Sequence, residues 1–226
     1  MCTNYTPATP AHLVAMPGLS AVPLPTMDWP PETFPGYGAP ILRVGGDGAL
    51  RWEVARFGLV PRWCKDGEQA TQMGRRTYNA RSETVAEKPS YRAPWRERQF
   101  ALAPMLNYFE PCWETGKAVR WRIAPPGDGV FTVAGLYENW TDRSSGEIVQ
   151  SFTLLTVNAD QHPLMSRMHR PGDEKRMLVV VPEASRLSWL NATAAEAGRF
   201  LMPGMDEPLE GEAAPRGVPP QQSLAF

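Results

Sequence analysis

Cys2 is the first residue whose chemistry draws attention. A residue this small after the initiator methionine allows removal of Met1, which leaves an amine and a thiol on one terminal residue. The amine titrates near ~8 and the thiol near ~8.5, so both nucleophiles are partly available around neutral pH. The amine can form a Schiff base with an aldehyde. The thiol can then close a five-membered thiazolidine ring, favoured because both groups belong to one residue. Taken alone, a cysteine at a terminus is more often an incidental residue on a frayed end.

Three further polar residues stand in contexts that could support chemistry. Asn79 lies in TYNARSET, Glu110 in NYFEPCW and His169 in LMSRMHRP. A carboxyl among Tyr108, Phe109, Pro111 and Trp113 is expected to be partly desolvated, which would raise its pKa and suit it to proton transfer. His169 lies between Arg167 and Arg170, which favour the neutral ring. The plainer readings are a strand-end glutamate paired with a surface arginine and an ordinary loop histidine.

The elements that must position these groups read as a strand-rich chain. Of 226 residues, 42% are hydrophobic, enough for the core of one α+β domain without βαβ rhythm. GGDG at 45–48 predicts a hairpin turn leading into a strand that ends at Pro61, with Trp52, Val54 and Arg56 on one face. Residues 65–77 read as a loop and SETVAEK as a short helix. FALAPMLNYFEP reads as a strand interrupted near Pro104. Strands are also predicted at 119–123, 130–140, 151–159 and 176–182, followed by two short helices. Nine prolines fall in 7–40, predicting an extended surface loop. The main domain is expected over 1–202, and the Pro-, Gly- and Glu-rich 203–226 as a disordered tail.

Composition narrows the function classes. Three cysteines without a CxxC pair and three histidines make neither a disulfide framework nor a zinc site, so free thiols in a reducing compartment are expected. No apolar run is long enough to span a bilayer, and MCTNYTPATP lacks the features of a secretory signal. The expectation is therefore a cytoplasmic protein with no membrane partner, no metal and no cofactor. Net charge is −1, but residues 51–98 hold 11 basic and 6 acidic side chains. A local basic face of this kind can meet phosphates, although scattered surface charge is the commoner meaning.

Several segments, in this order, together resemble the SOS response-associated peptidase (SRAP) family of abasic-site-processing proteins. They are Met-Cys at the start, FGLVPRW at 57–63, NARSET at 79–84, FALAPMLNYFEPCW at 100–113, FTVAGLYENW at 131–140, FTLLTVNA at 152–159 and HPLMSRMHRPGDEKRM at 162–177. The resemblance implies a single strand-rich domain with mixed, partly barrel-like sheets and short peripheral helices. It implies that Cys2 is the nucleophile, Asn79 its partner, Glu110 the proton-transfer group and His169 the stabiliser of the intermediate and the opened sugar. It also assigns Arg81 and Trp63 to DNA. Neighbouring Arg62, Arg75 and Arg76 are expected to hold phosphates, and Trp63 or Trp113 to stack on bases.

The chain departs from the family pattern in places. Asn4 stands where Arg is common, Phe57 where Trp is common, and Pro111-Cys112 separate Glu110 from Trp113. Pro171 to Lys175 separate His169 from Arg176-Met177, which leaves His162 as the alternative histidine. The implied activity is covalent capture of abasic sites in single-stranded DNA by a monomer, through a thiazolidine on Cys2, within the DNA damage response and with lyase activity as a possible companion. A cysteine peptidase that processes its own N-terminus and a noncatalytic DNA-binding module are the alternative readings.

Overall fold

The computed structural model describes residues 2–202 and 208–216. In chain order the first half contains β1 (Tyr5–Pro7), α1 (Pro10–Ala15), β2 (Gly38–Val44), β3 (Leu50–Phe57), α2 (Gly67–Gly74), β4 (Asn79–Arg81) and α3 (Arg92–Arg96). The long β5 (Phe100–Cys112) is followed by β6 (Val119–Ala124), β7 (Phe131–Thr141), β8 (Ile148–Asn158), β9 (Arg176–Leu178) and β10 (Val180–Val181). The chain then forms α4 (Arg186–Asn191), α5 (Ala194–Ala197) and β11 (Glu210–Ala213).

Five strands close on themselves. β2 pairs β3, β3 pairs β8, β8 pairs β7, β7 pairs β5, and β5 returns to β2. Only the β3–β8 contact in this ring is parallel. Closure removes free edges and buries one face of each strand. Phe57, Phe100, Leu102, Leu136, Phe152 and Leu154 are fully or almost fully buried. The Phe57 and Phe152 rings stack at 5.3 Å, and Trp189 of α4 packs on Phe100 at 4.7 Å while its indole N–H donates to the Ala101 carbonyl. The strand-rich α+β expectation therefore holds, with the barrel-like part a closed five-strand ring and the helices short.

Four local expectations need correction. Residues 65–77 are not all loop, because α2 forms within them. Asp66 caps it by accepting from the Gln69 amide, and the glycines that suggested a loop stand at the helix ends. SETVAEK forms only a 3-10 turn, Ser82–Thr84, which has no side-chain cap. β5 runs straight through Pro104, which sits beside a register shift between Thr6 and Pro7 of β1; irregular pairing tolerates a residue without an N–H. Part of the expected disordered tail is a strand: β11 pairs antiparallel with β6 from Glu210 opposite Ala124 to Ala213 opposite Trp121. Residues 203–207 and 217–226, the rest of that tail, lie outside the described residues.

The Pro-rich segment pins the N-terminal strand. Tyr5 and Thr33 exchange backbone hydrogen bonds of 3.2 and 2.8 Å, and the Trp29 indole donates to the Ala8 carbonyl at 3.0 Å. β1 is thus held both by this segment and by β5, with Tyr5 opposite Tyr108. Prolines lower the chain's freedom before folding, so an irregular strap of this kind costs less order than its length suggests.

Candidate functional site

Cys2 reaches the site because β1 is held in register on β5. Continuing the antiparallel register back from Tyr5–Tyr108, the Phe109 amide donates to the Asn4 carbonyl at 3.0 Å, which brings Cys2 alongside Glu110 and Pro111. Cys2 is only 1% exposed. Burial raises its thiol pKa strongly and the nearby Glu110 carboxyl raises it further, while hydrogen bonds with the backbone at Asn4 and Phe109 act the other way. The net direction is upward, so the thiol is held in its neutral form. Its Sγ lies 3.4 Å from the Asn4 carbonyl oxygen.

Asn79 is delivered by β4, a short strand that pairs parallel with β8, Asn79 opposite Leu154. Its Nδ2 donates to the Cys2 carbonyl at 2.7 Å. Its Oδ1 is buried and has no hydrogen-bond partner among the described residues. Tyr91 fixes the same strand by donating its hydroxyl to the Asn79 carbonyl at 3.0 Å.

Glu110 and His169 form a buried pair. The His169 Nε2 is 3.0 Å from Glu110 Oε2, and both side chains are less than a tenth exposed. His169 has φ of +63°, an unusual conformation for a residue with a Cβ. Three contacts hold it there. Its amide donates to the Pro111 carbonyl at 2.7 Å, and Met168 bridges Cys112. The Lys175 ammonium donates to the carbonyls of Met168, His169 and Arg170 at 2.8 to 3.2 Å. A strained backbone that is so firmly held is a mark of functional positions.

His162 is engaged elsewhere. Its Nδ1 accepts from the amides of Leu164 and Met165, both at 3.1 Å, at the start of the turn Met165–Arg167. Burial lowers its pKa. The geometry thus brings Cys2, Asn79, Glu110 and His169 together and leaves His162 supporting the loop.

The residues expected to meet DNA are dispersed. The Arg62 guanidinium is bound to Glu138, which is nearly fully buried, and to Glu97 and Gln99. Arg81 is half exposed and pairs with Glu174 at 2.8 Å. Arg75 and Arg76 are exposed beyond α2 and make no ion pair among the described residues. Trp63 is 44% exposed, with its indole N–H on the Pro89 carbonyl. Trp113 is half buried beneath the Arg170 guanidinium. Asn4 accepts from Arg120 of β6 at 2.8 Å, so a guanidinium does stand beside position 4, supplied by another strand.

Sequence reasoning missed Tyr78 and Arg176. Burial, then Glu110 and Cys2, raise the pKa of the Tyr78 phenol, which stands near enough to both to feel their charge. Its signal was its place directly before Asn79. Arg176 is 2% exposed and joins Glu83, Glu174 and the Thr156 carbonyl, tying the NARSET segment to the late histidine motif. Among the described residues there is no group of three or more His, Cys, Asp or Glu able to hold a metal, and no helix is long and apolar enough to cross a membrane.

A closed five-strand barrel whose N-terminal strand delivers a cysteine to a Glu–His pair defines a class of protein, and comparison with known proteins identifies it. The family model described as SOS response associated peptidase (SRAP) matches residues 1–216, and the chain belongs to this family. It is 32% identical over 168 residues to the abasic site processing protein YoqW of Bacillus subtilis, covering 71% of this chain and 68% of that one. The abasic site processing protein HMCES of Gallus gallus is 29% identical over 128 residues, 47% of this chain and 37% of that one. A solved structure of a Bordetella bronchiseptica protein matches with a TM-score of 0.84 and 29% identity over 94% of this chain and 99% of that one.

Proposed function

We propose that this protein processes abasic sites, capturing them in single-stranded DNA as a covalent crosslink to Cys2. The observation that carries the reading is the buried Glu110–His169 pair set beside a terminal cysteine whose carbonyl is held by Asn79. Relatives named as abasic site processing proteins support the substrate.

Removal of Met1 frees the Cys2 amine. The ring-opened sugar at an abasic site presents an aldehyde, and the amine adds to its carbon. Loss of one water gives the Schiff base. The Cys2 sulfur then adds to the imine carbon while the thiol proton passes to nitrogen, closing the thiazolidine. The raised thiol pKa accords with this order, in which the amine acts first and the thiol closes the ring afterwards. Glu110 moves protons during sugar opening and dehydration, and His169 both relays them and donates to the sugar oxygen as charge develops. Asn79 Nδ2 fixes the Cys2 carbonyl, and its Oδ1 is available to accept from the freed amine. In this reading the protein acts as a monomer on single-stranded DNA.

The family's description as a peptidase supports a second reading, autoprocessing at the N-terminus. A cysteine peptidase needs a thiolate paired with its base. Here the thiol is held neutral, and His169 faces Glu110. These features favour capture over peptide turnover.

The test is a denaturing gel of the processed protein with a single-stranded oligonucleotide carrying one abasic site. A heat-stable shifted band that requires both the lesion and Cys2 is the expected outcome. Absence of the band, or its persistence in Cys2→Ala, would overturn the reading.

A further inference from the structure

Beside Glu110 lies a cavity of about 370 Å³, within the ~300–1,000 Å³ range of small-molecule sites. Its walls include Asn4, Phe34, Phe109, Glu110, Arg120 and Arg216. Two guanidiniums and two phenyl rings make up much of this lining. Arg120 lies 3.3 Å over the Phe109 ring, and Arg216 lies 5.1 Å over Phe34. Both arginines share one carboxylate, Glu32, in direct contact with Arg120 and 3.6 Å from Arg216. Two cations against that one anion leave the group with an excess positive charge. The remaining acid of the wall, Glu110, is already engaged with His169.

The cavity depends on the C-terminal segment. β11 adds to β6, and beyond it the Ala214 amide donates to the Arg120 carbonyl at 2.8 Å while Arg120 Nη1 donates to the Ala214 carbonyl at 3.3 Å. These bonds fix the chain two residues before Arg216. Arg120 also grips the N-terminal segment through Asn4 Oδ1. One residue therefore joins the capture strand, the tail and the cavity. Arg62, expected to meet DNA, is bound by two carboxylates of its own, Glu97 and Glu138, whereas Arg120 and Arg216 share one.

We infer that this cavity is the subsite for a nucleotide next to the lesion, with Arg216 and Arg120 holding its phosphate and Phe34 or Phe109 facing its base. The inference rests on the abasic-site reading, since it takes Glu110 as the position of the damaged sugar. A phosphate suits a paired-arginine wall, and the aromatic faces suit a base without selecting its identity. Glu32 acts as a built-in competitor that a phosphate must displace or share.

The test measures noncovalent binding, separate from capture. Fluorescence anisotropy would follow a single-stranded oligonucleotide containing a tetrahydrofuran abasic analogue, which has no aldehyde, across a series of salt concentrations. Wild type, Arg216→Ala and Glu32→Gln would be compared. Arg216→Ala is expected to weaken binding several-fold and to lower the slope of log affinity against log salt by about 0.7, the value of one phosphate contact on a single strand. Glu32→Gln is expected to tighten binding and steepen the slope. Equal affinities and slopes for all three proteins would overturn the subsite. Failure of wild type to crosslink a natural abasic site would instead overturn the capture reading, a result seen on the gel and not in the anisotropy.

Discussion

At Cys2 the local environment separates two nucleophiles that in water would compete. Desolvation and Glu110 push the pKa of the buried thiol up; in the proposed mechanism the amine makes the first bond. Cys2→Ala keeps the amine and loses the thiol. We predict that this variant forms an adduct only when borohydride reduces the Schiff base, and no heat-stable adduct without it; a stable adduct without reductant would contradict the assigned role of sulfur. Glu110→Gln should slow capture by about 10²-fold or more, the usual weight of a positioned acid or base. Single-turnover rates equal to wild type would remove Glu110 from proton transfer. The four residues that the geometry brings together stand out in the sequence through the segments that resemble the SRAP family, not through their types alone. Their mutual geometry is not legible. The Glu110–His169 contact and the isolated bridge between Cys112 and Met168 join segments more than fifty residues apart, and the left-handed His169 and its Lys175 clamp set the local geometry.

At the scale of elements, turns and close approaches do the positioning. Gly58 has φ of +107°, and a Cβ there would lie 2.1 Å from the Gly74 carbonyl oxygen. The glycine of FGLVPRW is therefore needed for the approach of β3 to the end of α2. Gly58→Ala should destabilise the fold by about 1–3 kcal/mol, read from the urea midpoint. No loss would show that the backbone can shift freely there. His162 gives a second handle. Its folded pKa lies below the ordinary 6.5 because the ring is buried, and protonation would take away the acceptor used by two amides. A group depressed in this way contributes stability that is present above about pH 6.5 and lost as pH falls below it. Tm should fall more steeply between pH 7.5 and 5.5 in wild type than in His162→Asn, whose amide oxygen can replace the acceptor; parallel profiles would refute this. Strong strands such as β7 and β8 are readable from their runs of apolar, aromatic and β-branched residues. Three of the four misread elements share one cause. The glycines around α2, Pro104 in β5 and the polar composition of β11 look like breakers locally, yet tertiary pairing or capping satisfies the backbone at each.

At the scale of the molecule, a closed barrel carries appendages that build the site. β1, β4, β6 and β11 all lie outside the five-strand ring, and together they deliver Cys2, Asn79 and the Arg120–Arg216 wall. A chain ending at residue 202 should keep the barrel, since β11 pairs only with β6, but it should bind single-stranded DNA more weakly. Circular dichroism like that of the full chain, with a lower affinity, is the expected pair of results; loss of the folded spectrum would make β11 part of the folding core instead. The Pro-rich segment, which as sequence reads as an extended surface loop, contains α1 and is the outer support of β1 through Thr33 and Trp29. The central claim is that the bond to DNA forms at the amine and thiol of residue 2. Intact mass spectrometry of the purified adduct, followed by peptide mapping, tests it most directly. The account predicts the mass of protein lacking Met1 plus oligonucleotide minus one water, with the modification on Cys2. An adduct that retains Met1, or one mapped to an internal residue, would contradict it.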